Sequence, residues 1–532
     1  MTTRNSVLAV TLSKYCKTSQ SGVRLHPMGR MPLEYLIPVL SPLNIRGDTK
    51  KTISSIAFNS KQASSGTLFF ALSGIHVDGH QYIDSAIEKG AQAIMHSKAL
   101  ATYQPGITYI QVKNAKRALS RVSSAFYQHP SQELTTIGVT GTDGKSTTVS
   151  LIRQLLEYAG IPTGIISSTT FKTGGEEKMN YLRQSTPEAP YIHAMLREML
   201  NRNQSHVVIE ATSHGLSPIN CRLDDVKFDV AVFTNLSREH LEFHGNIENY
   251  REDKTRLFRM MAKSRNPRAF GVVNADDEAS EYFVRAAGKR TVLRYSIRNQ
   301  NVDIFATRPV VTPDGTEFLL HTPEQTSQCR IRLPGLFNVE NTLAALCTAA
   351  ELKGINVHEF TSKLPELRGV KGRMETIRGN MDFHVFVDYA HSLGGFKKVL
   401  PLLKTFCTGR LILIFGTAGE RDPEKRPHQG AVAAKYADMV FLSDDDPHSE
   451  NPEKILTDIA RGVATMTLGE NLFLIPDRRQ AIFEAMKRAR KGDVVAALGK
   501  GHESSIIYAN HVLPWDEAEV CREALRSLNF EA

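Results

Sequence analysis

The stretch Gly141-Thr142-Asp143-Gly144-Lys145-Ser146-Thr147 follows the β-rich run TTIGVT and opens KSTTVSLIRQLLEYAG, whose apolar residues recur at helical spacing up to Gly160. Glycines between a strand and a helix let backbone N–H groups turn toward a phosphate, and the helix adds its positive end. Lys145 supplies a point charge for the terminal phosphates, and Ser146 supplies a hydroxyl for Mg²⁺. The longer phosphate-loop pattern wants glycine where this chain has Val139, so only the short form is met. Glu210 closes the apolar run HVVIE, and His240 lies in FTNLSREHLEFHG. Carboxylate, hydroxyl and imidazole suit the surroundings of Mg²⁺ and a triphosphate. His240 and His244 stand four apart, but HLEFH is not the HExxH of a zinc helix. Ser213-His214 sits in no GxSxG elbow, and adjacent strand residues face opposite ways, which argues against a hydrolase.

Holding these groups together takes a series of strands and helices. HVVIEAT (206–212), FDVAVFTN (228–235) and GVVNAD (271–276) are short apolar runs separated by helical segments, which predicts a mostly parallel, doubly wound sheet. Residues 297–333 read as an antiparallel excursion. After GVKGRME (369–375) come FHVFVDYA, LILIFGTAG, MVFLSDDD, NLFLIPD and VVAALGKG, five strand candidates of a second, Rossmann-like unit. Their polar residues stand at strand C-terminal ends, where ligands sit in open α/β sheets. Residues 52–95 form a smaller α/β pattern. The fold class is therefore α/β in three domains, 34–116, 117–369 and 370–532, after a disordered extension over 1–33.

The length of 532 residues agrees with about three domains. With 41% apolar and 23% charged residues the chain is globular rather than disordered. Its six cysteines, Cys16, Cys221, Cys329, Cys347, Cys407 and Cys521, share no metal spacing and read as thiols of a reducing compartment, here the cytoplasm. No apolar run approaches the roughly 20 residues that span a bilayer. The net charge is +9, but residues 1–33 hold five Lys/Arg and no acid, which leaves +4 for the remainder. That suits an anionic small substrate, and no basic stripe with interleaved aromatics points to nucleic acid. The extension has the basic, acid-free composition of a transit peptide but no long apolar core, and Met28 or Met31 is an alternative start.

The motifs GTDGKSTT, IEATSHGL, FTNLSREHLEFHG, YREDKTRLF, LFNVENTLAA, GRME, VDYAHS, GERDPEKRP, DDDPHSENP and LGKGHE occur in the order in which a known family carries them. From about residue 50 to its end, the chain resembles a Mur ligase of the branch that adds the third residue of the peptidoglycan stem. The resemblance implies an N-terminal UDP-binding domain, a central ATPase domain and a C-terminal Rossmann-like domain, working as a monomer away from membranes. It implies that ATP phosphorylates the carboxylate of UDP-N-acetylmuramoyl-L-alanyl-D-glutamate and that an amino acid's amine displaces phosphate from the acyl phosphate. By the same resemblance, Lys145 and Ser146 hold the ATP phosphates and a first Mg²⁺, with Glu210. His240 and Lys254 serve a second Mg²⁺, Lys254 as the carbamate formed with CO₂ (N6-carboxylysine). Asn338 and Asn341 lie near adenine, and Arg373 and Asp388 close over ATP. Ser60, His76, Ser185, Thr186, Thr212, Asn220 and Arg222 meet the UDP-sugar peptide. Arg421, Gly499 and Glu503 hold the incoming amino acid's own carboxylate and amine.

Several departures from the family pattern carry information. Asp143 replaces the usual phosphate-loop asparagine. A carboxylate aimed at a triphosphate is unfavourable, so Asp143 is expected to point away or cap the helix. Two extra residues precede Arg222. Diaminopimelate-adding members carry Asp-Asn-Pro-Arg, whose Arg forks onto the far carboxylate. Here the stretch is Asp445-Asp446-Pro447-His448. A mostly neutral imidazole is a weaker carboxylate partner, and the added Asp446 favours a side-chain ammonium, so L-lysine or L-ornithine is favoured over meso-diaminopimelate. The alternatives are a folylpolyglutamate synthase-like ligase, which the N-terminal FNSK and SGIHVDG segments argue against, and a nucleotide-binding scaffold without catalysis. The scaffold predicts loss at Lys145, Glu210, His240 or Lys254, and all four are present.

Overall fold

The computed structural model describes residues 30–531, apart from Ile75, His76, Arg183, Arg238 and His240. Three α/β units follow one another along the chain. The first builds a five-stranded sheet in which Ser55–Ala57, Thr67–Phe70, Ala91–His96 and Thr108–Val112 run parallel and Pro42–Arg46 closes the edge antiparallel. Met31–Pro32 pairs with Thr52–Ile53, and Leu33 is buried in this unit's core, so the last residues assigned to the extension are part of the fold. The helix Ala115–Phe126 crosses the expected boundary at 116–117. Its Leu119, Val122 and Phe126 pack with Leu68 and Phe70, and we place the boundary after it.

The middle unit holds an eleven-stranded sheet. Its parallel centre contains Thr163–Ile166, His206–Glu210, Thr135–Thr140, Val230–Phe233, Phe270–Asn274 and Val292–Ser296 in that spatial order. The apolar runs inside these strands, such as VVI of His206–Glu210, VAVF of Val230–Phe233 and VV of Phe270–Asn274, are buried because both faces are covered. Helices Lys145–Tyr158 and Leu336–Lys353 cover one face, and Ala189–Asn201 and Ile247–Ala262 cover the other. Each fully buried Leu, Ile, Val or Phe contributes about 1.5–3 kcal/mol, so the two faces are this unit's main stabilisation. The antiparallel excursion is the hairpin pair Ile304–Thr312, Gly315–His321 and Thr326–Ile331. The third unit contains all five anticipated strands, His384–Asp388, Leu411–Phe415, Met439–Leu442, Leu472–Leu474 and Val494–Leu498, all parallel. Glu375–Ile377 adds an antiparallel edge.

Register decides which polar residues meet. Glu210 pairs with Val139, one residue before the phosphate-loop strand ends, and Asp388 pairs with Leu498. Strand C-terminal ends of the middle and third units therefore face a common cleft.

Candidate active site

The phosphate loop is bent by two glycines. Gly141 has φ +151°, and a Cβ there would meet Thr234 Oγ1 at 1.9 Å. Gly144 has φ +81°, and a Cβ there would meet Asn341 Oδ1 at 2.3 Å. No side chain fits at either position. The neighbouring strand end holds the loop: Thr142 N donates to Asn235 O (2.8 Å), Asp143 N to Asn235 Oδ1 (3.0 Å) and Thr234 Oγ1 to Asp143 O (2.7 Å). Lys145 Nζ folds back onto the carbonyls of Gly141 (3.1 Å) and Thr142 (2.7 Å).

Behind the loop lies a buried acid. Glu210 Oε2 accepts from Ser146 Oγ (3.0 Å), from Ser168 Oγ (2.9 Å) and from Ser168 N (2.9 Å). Hydroxyl and carboxylate oxygen thus stand side by side at the N-terminus of helix Lys145–Tyr158, a donor set that fits Mg²⁺. Ser168 escaped the sequence reading. Its only signal is the run Ser167-Ser168-Thr169-Thr170 after the strand Thr163–Ile166.

Lys254 projects from helix Ile247–Ala262 into the same place and is 1% exposed. Its Nζ donates to Gly141 O and lies 4.4 Å from the centre of the Tyr250 ring. Burial, and next the charge of Lys145, hold its ammonium well below the ordinary lysine value. His240 lies outside the described residues, as does His76. His244 is fully engaged: Nδ1 meets Asp253 Oδ2 and Nε2 meets Ser213 Oγ, both at 3.0 Å. It is a link in a hydrogen-bond chain, and Ser213 opens a short helix, Ser213–Leu216, rather than lying in a strand.

A cleft of about 730 Å³ gathers these groups with the third unit. It takes in Thr142 to Thr147, Ser185, Thr186, Glu210, Thr212, Arg222 and Lys254 from the middle unit. Asn338 and Asn341 line it too, and across from them stand Arg373, Asp388, Asp446 and Glu503. Asp388 is fixed by Met374 N (2.7 Å) and Ala390 N (2.8 Å), and burial raises its pKa. The Arg373 guanidinium sits 4.4 Å from the Tyr389 ring centre. The His502 ring lies tilted against Tyr389, with centres 4.7 Å apart, and burial pushes its imidazole down to about 3, so it is neutral. Asp143 lines the cleft and does not cap the helix. Its carboxylate is taken by Lys398 of the third unit. Burial opposes its ionisation, but Lys398, with Lys145 and Arg373 behind it, holds the carboxyl below its usual range.

Three family models match the chain in order: Mur ligase family, catalytic domain over residues 52–127; Mur ligase middle domain over 139–349; and Mur ligase, glutamate ligase domain over 372–501. The UDP-N-acetylmuramyl-tripeptide synthetase of Borreliella afzelii (strain PKo) is 42% identical over 490 residues, which cover 92% of this chain and 96% of that one. The chain belongs to the Mur ligase family. Mur ligases are ATP-dependent amide ligases of peptidoglycan synthesis, and this chain is such an enzyme. A 2,6-diaminopimelate ligase of Caldanaerobacter subterraneus subsp. tengcongensis is 36% identical over 481 residues, 90% of this chain and 96% of that one. A solved UDP-N-acetylmuramoyl-L-alanyl-D-glutamate--2,6-diaminopimelate ligase superposes with a TM-score of 0.63 at 27% identity, covering 94% of this chain and 100% of that one. Among the described residues no helix is long and apolar enough to cross a membrane.

Not every residue expected from the Mur ligase pattern lines the cleft. Ser60 is buried in the first unit, and Asn220 Oδ1 accepts from Lys116 Nζ (3.2 Å) at the seam between units. The two extra residues before Arg222 are absorbed in the turn Ser217–Cys221, where Cys221 adopts a left-handed φ of 56°. Arg222 reaches the cleft and is braced by Thr186 O (2.9 Å) and Glu188 (2.6 Å). Thr212 caps its helix through Gly215 N, so its hydroxyl serves the backbone as well as facing the cleft. Arg421 and Gly499 lie outside the cleft lining, as does His448, whose φ of 54° directs its N–H to Ile507 O. Asp446 does not stand free. Lys500 Nζ, fully buried, contacts Glu503 (2.6 Å), Asp446 (2.9 Å) and Asp445 (3.4 Å). Among the described residues these three acids are the one group with metal-ligand spacing, and Lys500 occupies its centre.

Proposed function

We propose that this ligase adds a diamino acid, L-lysine or L-ornithine in preference to meso-diaminopimelate, to the D-glutamate carboxylate of UDP-N-acetylmuramoyl-L-alanyl-D-glutamate. The observation that carries the reading is one cleft whose walls are a phosphate loop, a buried Ser146–Glu210 pair, the buried Lys254 and an acid-rich pocket at Asp446 and Glu503. A carboxylate is a poor electrophile. One of its oxygens attacks the γ-phosphorus, ADP leaves, and the resulting acyl phosphate gives the carbonyl carbon phosphate as its leaving group. The neutral amine then adds to the carbonyl carbon, phosphate departs, and the amine's surplus proton goes to solvent or phosphate. The protein positions and neutralises rather than reacting covalently. The backbone N–H groups of residues 144–146 and the Lys145 ammonium would receive the β- and γ-phosphates, while Thr142 N and Asp143 N brace the loop on Asn235. Ser146 and Glu210 would hold Mg²⁺, which when bound neutralises those phosphates. His240 and a carbamate on Lys254 would serve a second ion. Lys254 is suited to that modification because burial, and next the charge of Lys145, hold its ammonium well below the ordinary lysine value and so favour the free amine, the form that reacts with CO₂. Arg373, Asp388, Asn338 and Asn341 border the nucleotide end. Ser60, the loop containing His76, Ser185, Thr186, Thr212, Asn220 and Arg222 are assigned to the UDP-sugar peptide.

The preference for an ammonium side chain rests on charge. One cation, Lys500, is shared among three carboxylates, and two of them, Asp446 and Glu503, line the cleft, which favours a cationic side chain there. His448 offers no fixed positive charge for a distal carboxylate. Arg421, Gly499 and Glu503 are assigned to the α-carboxylate and amine. The test supplies ATP and the UDP-sugar dipeptide, offers lysine, ornithine and diaminopimelate in turn, and follows phosphate release. Faster turnover with lysine or ornithine is expected, and a clear win for diaminopimelate overturns the argument from residues 446 and 448.

A further inference from the structure

A second cavity, about 820 Å³, lies where the middle unit, the linker and the third unit meet. It shares only Arg373 and Met374 with the reaction cleft. Its lining is strongly basic: Arg332, Arg368, Lys371, Arg373, Arg378 and Arg522 face only two acids, Glu366 and Glu375. Those acids and the nearby carboxylates are already committed. Glu375 pairs with Arg522 (3.1 Å), Glu366 with Lys363 (3.1 Å), and Asp516 with Lys371. Arg332, Arg368 and Arg378 therefore have no ion pair among the described residues, and the buried Nε of Arg373 has no hydrogen-bond partner. Arg332, Arg368 and Arg378 are the solvent-exposed cations of that lining.

Unmatched like charges around a concave surface raise the local potential and concentrate anions. Guanidinium forks fit phosphate oxygens two at a time. Arg332 comes from the end of the middle sheet, Arg368 from the linker, and Arg378 from the start of the third unit. We propose that this cavity binds a small multivalent phosphate anion, which bridges the middle and third units and is felt in the reaction cleft through Arg373. The proposal is independent of which amino acid the enzyme adds.

The test is titration calorimetry on the full chain saturated with a non-hydrolysable ATP analogue, so that the phosphate loop is filled. Inorganic pyrophosphate and a sugar bisphosphate are titrated separately, which distinguishes a free inorganic ion from a phosphate ester. At least one is expected to bind at a single site, more weakly as salt rises. The exposed pair substitution Arg332→Ala/Arg378→Ala should weaken that binding by at least about tenfold, and Arg368→Ala alone by less. With the bound anion, small-angle scattering should report a more compact wild type and an unchanged double variant. Absence of binding by both probes, or equal binding by wild type and double variant, overturns the proposal.

Discussion

Lys254 is the residue on which the chemistry and the physics press hardest. An ammonium in its place would be stripped of water beside Lys145, so the folded state favours the free amine. The sign for stability follows. The folded chain binds fewer protons here than the unfolded chain, so this site's contribution is most unfavourable at low pH and improves as pH rises toward the ordinary lysine value. In CO₂-depleted buffer Lys254→Met should therefore gain stability relative to wild type as pH falls from that value, read as the difference in urea midpoints. The same variant should lose about a hundredfold or more in kcat, as expected when a preorganised charge in the site is removed. A variant that is active, or one whose midpoint tracks wild type at every pH, contradicts this account. If the amine carries CO₂, wild-type activity should also fall in bicarbonate-free buffer and return when bicarbonate is added, while Lys254→Met responds to neither.

Among the elements, the loops that end the third sheet depend on one buried cation. Arg478 is fully buried at the start of helix Arg478–Arg488 and pairs with Glu517, also fully buried, at 2.5 Å. Its other donors hold Ser443 Oγ (3.2 Å), Asp444 O (3.2 Å) and Leu498 O (2.8 Å), the strand ends that carry Asp445, Asp446 and Gly499. Removing one partner of a buried pair strands the other, which costs about 3–5 kcal/mol, whereas replacing both with apolar groups is far milder. Chemical denaturation should show Arg478→Met to be strongly destabilised and Arg478→Met/Glu517→Leu to recover most of the loss, with KM for the amino acid raised in both. A double variant as unstable as the single one refutes the pairing as the cause. Arg478 also marks the limit of the sequence. The five apolar runs of this unit announced its strands, because a buried parallel strand is legible as composition. The start of PDRRQAIFEAM reads as a solvated helix, and nothing local says that one of its arginines is interior. Lys500 was hidden likewise inside LGKGHE. Asp143 was legible as an anomaly, but its partner lies 255 residues further on, and only the tertiary fold brings the two together. Ser146 is legible from the glycine-loop motif that opens its helix, and Glu210 from its place at the end of a strand.

For the whole molecule, the question is what brings the third unit over the phosphate loop. The Asp143–Lys398 pair spans the mouth of the cleft and is half exposed on both sides, 45% and 47% of each side chain. Exposed pairs are worth about 0–1 kcal/mol, so this one cannot lock the units together. It can bias an open–closed equilibrium by up to about fivefold. A bias of that size matters only where closure is otherwise nearly balanced, as before ATP arrives. On the proposed binding mode the phosphate-loop carboxylate has a physical role: it would bring a lysine from the third unit to the place where triphosphate charge appears, and it is itself neutralised by that lysine. Lys398→Gln should raise KM for ATP several-fold, because it both loosens closure and leaves Asp143 unpaired beside the phosphates. Asp143→Asn should raise it less, since the lysine stays available to the nucleotide. Salt separates the two effects, because screening over a Debye length of about 8 Å at 0.15 M acts on an exposed pair. Small-angle scattering of the nucleotide-free enzyme should show wild type opening as salt rises and Lys398→Gln already open and indifferent to salt. If the variant is as compact as wild type at low salt, closure is governed elsewhere and the Asp143–Lys398 contact is incidental.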